Sequence, residues 1–122
     1  MRAPAPFFAD IAEAPDGGRP LWLDTQDGLR LRAAVWSEGA RGTAIVLPGR
    51  TEYVEKYGRV VRRLTERGLA VAVIDWRGQG LSDRHPSAPR LGHVEDFRHY
   101  QHDVAALLAH PEVAALPGPR HM

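Results

Sequence analysis

The sequence predicts an α/β fold in which a β-hairpin is followed by parallel β-α-β-α units. Three observations carry that expectation. Two apolar runs, Thr43-Ala44-Ile45-Val46-Leu47 and Leu69-Ala70-Val71-Ala72-Val73-Ile74, are continuous rather than alternating, which suits strands covered on both faces. The segment between them has helical periodicity, so the two strands are joined by a helical crossover and pair in parallel. Ahead of them, two shorter runs flank Asp27-Gly28, a pair that favours a hairpin turn.

The elements follow in order. Residues 1–20 read as an irregular lead-in that closes on the turn-prone Pro15-Asp16-Gly17-Gly18. Leu21 to Asp24 and Leu29 to Trp36 are the hairpin strands, joined through Thr25-Gln26-Asp27-Gly28. Leu29, Leu31 and Ala33 alternate with Arg30, Arg32 and Ala34, the period of a half-exposed strand. Ser37 to Gly42 is a polar loop before the first continuous run, which ends at Pro48-Gly49.

Tyr57, Val60, Val61 and Leu64 then fall at helical spacing, with Arg59, Arg62, Arg63, Glu66 and Arg67 on the other face. Gly68 is placed to end that helix, and the late arginines complement its dipole. After the second run comes a glycine-rich loop, Arg77-Gly78-Gln79-Gly80-Leu81-Ser82-Asp83, and a proline-punctuated stretch to Gly92. A second helix is expected from Val94 to about His110, with Val94, Phe97, Val104, Leu107 and Leu108 as its apolar stripe and Pro111 as its limit. Pro117 to Met122 reads as the approach to a further strand.

Composition narrows the function classes. With 43% hydrophobic and 25% charged residues, the 122-residue chain is of globular type. Sixteen basic residues balance 15 acidic ones to a net charge of +1, which offers nucleic acid no clustered cationic excess. The absence of cysteine excludes disulfides, thiol catalysis and cysteine-based zinc sites. No apolar stretch has the length of a signal peptide core or a transmembrane segment, so the default expectation is a cytoplasmic protein.

Three motifs, in this order, resemble the N-terminal part of α/β-hydrolases of the lysophospholipase and monoacylglycerol-lipase type. The first is Ile45-Val46-Leu47-Pro48-Gly49-Arg50-Thr51-Glu52-Tyr53 with Val54-Glu55-Lys56-Tyr57 behind it. The second is Asp75-Trp76-Arg77-Gly78-Gln79-Gly80-Leu81-Ser82, similar to the family's Asp-x-Arg-Gly-x-Gly-x-Ser loop. The third is Val94-Glu95-Asp96-Phe97 with Tyr100 and Asp103-Val104, similar to the helix that precedes the nucleophile strand. Where the wider lipase group has His-Gly, this chain has Pro48-Gly49, which points toward a bacterial lysophospholipase-like subgroup.

The resemblance implies an incomplete α/β-hydrolase fold over residues 21–122, ending before the nucleophile elbow. It implies a serine ester hydrolase that acts on a small-molecule lipid or ester substrate and needs no cofactor and no metal. Ester hydrolysis passes through a tetrahedral oxyanion, which is stabilised by amide N–H groups fixed in advance. Carried onto this sequence, one such donor is the backbone N–H of Arg50, with Gly49 shaping the turn. Asp75, Arg77, Gly78, Gly80 and Ser82 form the motif loop, where Asp75 and Ser82 can bond nearby amides.

Several residues offer other chemistry. A nucleophile elbow needs Gly-x-Ser-x-Gly, and Gly80-Leu81-Ser82-Asp83-Arg84 lacks its second glycine; Ser37 and Ser87 lack the first. The family's acid and histidine follow its serine, so the whole triad is expected beyond Met122 and the chain alone is expected to be inactive. Gly78-Gln79-Gly80 lacks the third glycine of a dinucleotide loop, and no Gly-x-x-x-x-Gly-Lys run exists. His85, His93, His99, His102, His110 and His121 cluster late, and Glu95, His99, His102 and Asp103 allow a histidine-based metal protein as an alternative. The other alternative is a non-catalytic α/β binding or scaffold module, with self-association possible through an exposed sheet edge. Arg59, Arg62, Arg63 and Arg67 read as the solvated side of a helix.

Overall fold

The computed structural model describes residues 5–7, 14–49, 53–79, 81–83 and 99–122. The hairpin forms as the alternating runs predict. Strands β1 (Arg19–Asp24) and β2 (Arg30–Trp36) pair antiparallel, from Arg19 opposite Val35 to Asp24 opposite Arg30. Thr25 closes the turn: its hydroxyl accepts the Leu29 N–H at 2.9 Å and donates to Asp27 at 2.6 Å. The two continuous runs become β3 (Thr43–Val46) and β4 (Ala70–Ile74), parallel neighbours with Ile45 opposite Ala72.

β2 also pairs antiparallel with β4, and a two-residue strand β5 (Arg120–His121) pairs parallel with β3 on its other side. The sheet order is β1-β2-β4-β3-β5. The stretch read as the approach to a strand therefore reaches the sheet itself. Passing from β3 to β4 and from β4 to β5 moves in opposite directions across the sheet. With one crossover handedness, the two connections must cover opposite faces.

The cores show this. Side chains alternate across a strand. Leu31, Ala33, Val35, Ile45, Ala70, Ala72 and Ile74 pack with Leu107, Val113 and Leu116 on one face. Ala34, Trp36, Val71 and Val73 pack with Val54 and Val61 on the other. Fully burying an aliphatic or aromatic side chain of this kind contributes roughly 1.5–3 kcal/mol, so these two layers are the main source of the fold's stability.

Helix α1 (Gly58–Glu66) follows a 3-10 turn at Val54–Tyr57. Gly68, at φ +85°, ends it in the left-handed conformation that glycine adopts without penalty, and its N–H donates to the Thr65 carbonyl at 2.9 Å. Val60, read as part of the apolar stripe, is instead exposed, while Val61 is fully buried. The apolar stripe of a helix this short is narrow, and adjacent positions lie about 100° apart, so only one of the two valines can point inward.

Helix α2 is described over His99–Ala109, where Leu107 faces the core. Val94 and Phe97 lie outside the described residues. Pro111 does not merely stop this helix. It opens a short helix α3 (Pro111–Ala114), with the His110 side chain accepting the Glu112 N–H at 3.1 Å. Proline has no N–H and a fixed φ, which suits a first helical turn where that N–H has no intrahelical partner.

Arg32 departs most from its expected environment. The alternation in β2 assigned it to an exposed face, yet it is 1% exposed. β2 is an inner strand, and the 3-10 turn and α1 lie over the face that carries Arg32, Ala34 and Trp36.

Candidate functional site

Because β3 and β4 are parallel and adjacent, the turn after β3 and the loop after β4 meet at the carboxyl edge of the sheet. Open α/β sheets hold ligands at that edge. Two arginines, each between a pair of carboxylates, hold the segments there.

Arg32 reaches the edge from β2. Its Nε donates to Asp75 Oδ2 at 2.7 Å, and its two terminal nitrogens donate to the Glu55 carboxylate at 2.5 and 2.6 Å. All three side chains are buried. Burial pushes the Asp75 carboxyl up, opposed by Arg32 and by amide bonds from Leu81 and Val54. For Arg32, burial works against the charge, but the bonds to Glu55 and Asp75 prevail and raise its pKa. Arg32 therefore stays cationic and compensates its neighbours.

Asp75 is also a backbone junction. Its Oδ1 accepts the Val54 N–H at 2.7 Å, and its Oδ2 accepts the Leu81 N–H at 3.0 Å. Ser82 completes the tie, donating to the Asp75 carbonyl at 2.6 Å and accepting the Arg32 N–H at 2.8 Å. A buried serine hydroxyl engaged on both sides is a brace, not an exposed nucleophile.

Arg77 forms the second centre. It makes two bonds to Asp103 on α2, at 2.9 and 2.8 Å, and two to Asp27 in the hairpin turn, at 2.7 and 3.1 Å. The Arg77 N–H also donates to Asp103 at 3.0 Å. Burial pushes the Asp103 carboxyl up, with Arg77 opposing. The Arg77 bond holds the Asp27 carboxyl well below the usual carboxylate range. For Arg77 itself, burial opposes the charge, and the two aspartates outweigh it and raise the pKa.

Among the described residues of the loop between these centres, three amides are satisfied by the loop's own carbonyls. Gly78, at φ +75°, donates to the Asp83 carbonyl at 2.9 Å, Gln79 to Trp76 at 3.0 Å and Ser82 to Gln79 at 3.1 Å. A phosphate-binding loop presents its amides outward. These point inward.

The turn after β3 is tied twice at its entry. The Trp76 indole N–H donates to the Pro48 carbonyl at 2.7 Å, and the Gly49 N–H donates to the Tyr57 hydroxyl at 3.2 Å. Trp76 in turn packs against Tyr100 of α2, ring centroids 4.8 Å apart. Leu47, Tyr53 and Leu81, all near this edge, are 38–41% exposed and give it an apolar rim.

Of the site residues expected from sequence, Asp75, Arg77, Gly78 and Ser82 share one braced loop, and Gly49 lies across from it on the β3 turn. Arg50 and Gly80 lie outside the described residues. Reading along the chain did not identify Arg32, Glu55, Asp27 or Trp76 as partners in this edge. A signal for Arg32 was present in Ala33-Ala34-Val35-Trp36, apolar at both parities and so typical of an inner strand.

The metal alternative meets a different arrangement. His99 and His102 have ring centroids 6.3 Å apart, but the adjacent Asp103 is buried and bound to Arg77. Among the described residues no group of three potential ligands could hold a metal ion. His85, His93 and Glu95 lie outside them. No helix among the described residues is long and apolar enough to cross a membrane.

Comparison with known proteins agrees with this architecture. Residues 38–119 match the family model described as serine aminopeptidase, S33. The chain is 44% identical over 62 residues to lysophospholipase L2 of Escherichia coli K12, a match covering 51% of the chain and 18% of that protein. It is 33% identical over 104 residues to a probable lysophospholipase L2 of Haemophilus influenzae, covering 84% of the chain and 31% of that protein. The matches therefore span less than a third of either relative.

Among solved structures, DcsB in complex with its substrate analogue superposes with a TM-score of 0.65 at 20% identity, covering 82% of this chain and 32% of that one. The Pyrococcus furiosus esterase Pf2001 gives 0.58 at 18% identity, covering 87% and 39%. At these identities the likeness is one of fold.

Proposed function

This chain belongs to the serine aminopeptidase S33 family of lysophospholipase-like α/β-hydrolases, and from that premise we propose that it builds the oxyanion side of a serine ester hydrolase. The substrate is a single-chain lipid ester or a similar small ester. The carbonyl lies over the carboxyl edge of β3 and β4, and the backbone N–H of Arg50 donates to the oxygen that becomes negative in the tetrahedral intermediate. Gly49 precedes that donor and shapes the turn.

The observation that carries this reading is the Gly49 N–H bond to the Tyr57 hydroxyl, at the end of a strand parallel to its neighbour. With that amide occupied, the family pattern assigns the donor to the residue that follows, Arg50. The apolar rim of Leu47, Tyr53 and Leu81 supports an acyl-bearing substrate over a charged one.

The serine, acid and histidine come from polypeptide outside these 122 residues, whose serines lack a nucleophile elbow. A fluorophosphonate probe tests both halves of the proposal. The 122-residue chain is expected to stay unlabelled, because Ser82 is buried and doubly bonded. The complete gene product is expected to label at a serine in Gly-x-Ser-x-Gly after Met122. Labelling within residues 1–122, or none in the complete product, refutes the assignment.

A further inference from the structure

The ends of the β3 turn are gripped by the two consecutive residues that follow β4. Trp76 Nε1 donates to the Pro48 carbonyl at 2.7 Å, and Asp75 Oδ1 accepts the Val54 N–H at 2.7 Å. Pro48 is where the chain enters the turn, and Val54 is where the 3-10 turn begins. Both grips have partners of their own. Asp75 is locked by Arg32, while the Trp76 ring is packed against Tyr100 and the core that holds Leu107.

We propose that Trp76 and Asp75 are positioning residues that set the separation of the two flanks of the oxyanion turn, Trp76 acting through its indole N–H. This rests on the hydrolase reading above and deepens it. A half-buried tryptophan could serve packing alone, and then any large ring would do. A bond from Nε1 to the carbonyl just before the turn gives the N–H a role of its own. It fixes the plane of the Pro48–Gly49 peptide, and with it the course on which the chain enters the turn. A positioned donor loses effect steeply with displacement, about a hundredfold for 1 Å.

Two substitutions of Trp76 separate packing from positioning. Phenylalanine keeps a large ring and loses the N–H. Histidine loses ring volume, but its five-membered ring overlays the pyrrole half of indole and can place Nε2–H where Nε1–H stood. Packing alone ranks Trp76→Phe above Trp76→His. Positioning ranks them the other way.

The test uses the complete gene product, a soluble aryl ester, and kcat normalised to sites titrated with fluorophosphonate, so that unfolded molecules are not counted. Trp76→Phe is expected to lower kcat about tenfold to a hundredfold with KM within a factor of two. Trp76→His is expected to recover most of that loss despite a lower melting temperature. Unchanged kcat in Trp76→Phe, or a Trp76→His variant slower than Trp76→Phe, overturns the proposal while leaving the hydrolase reading intact. If Trp76→Phe does not fold, Trp76→His decides alone: near wild-type kcat upholds the inference, and a loss beyond tenfold overturns it. A wild-type product that hydrolyses no ester removes the hydrolase reading, and the inference with it.

Discussion

A guanidinium between two carboxylates, where water is excluded, is stable only while all three partners are present. Arg32, Asp75 and Glu55 are in that situation, at 1%, 0% and 4% exposure. Arg32→Met would leave two buried carboxylates without a counter-charge. Breaking a buried pair in this way costs roughly 3–5 kcal/mol, and denaturant unfolding should show a loss of that size. The second centre adds a pH dependence. Arg77 lowers the Asp27 carboxyl below its unfolded value of 3.8, so the ionised form favours the folded state. That contribution is complete above the unfolded value and disappears as pH falls through the folded one. Asp27→Asn should therefore be less stable than the wild type at pH 7, and the two should converge as the solution is acidified toward pH 2. A gap that stays constant from pH 7 to pH 2 would argue against the Arg77 bond.

At the scale of elements, the strands were easier to read than the helices. A continuous apolar run of about four to six residues bounded by turn residues suits a doubly covered strand, and β3 and β4 pair in parallel as expected. Helix α1 was located, but its inward direction was blurred by the adjacent Val60 and Val61. Their burial, 44% exposed against 0%, makes a sharp comparison. Val61→Ala should cost about 1–3 kcal/mol, whereas Val60→Ala should stay within about 0.5 kcal/mol. Equal effects would mean that the helix is rotated. In α2, Asp103 sat among histidines in sequence and invited a metal reading. In the fold it turns inward to Arg77, 26 residues before it. Sequence neighbours on a helix are visible in the sequence; partners on another element are not.

Across the whole molecule, the local patterns were sufficient for the hairpin, the parallel pair and the crossover helix, because hydrophobic period and turn chemistry act over a few residues. The three motifs and their order likewise announced the hydrolase-like architecture. What the tertiary structure alone decided is which charges share a site. Arg32 and Asp75 are 43 residues apart, and Trp76 and Pro48 are 28 apart. No local rule couples such positions. They meet because the sheet order β1-β2-β4-β3-β5 sets β2 beside β4 and β3 on β4's other flank. The sequence determined the elements through short-range preferences. The bracing of the turn after β3 emerged only when long-range strand pairing brought those elements to one edge and excluded the water that would otherwise separate their charges.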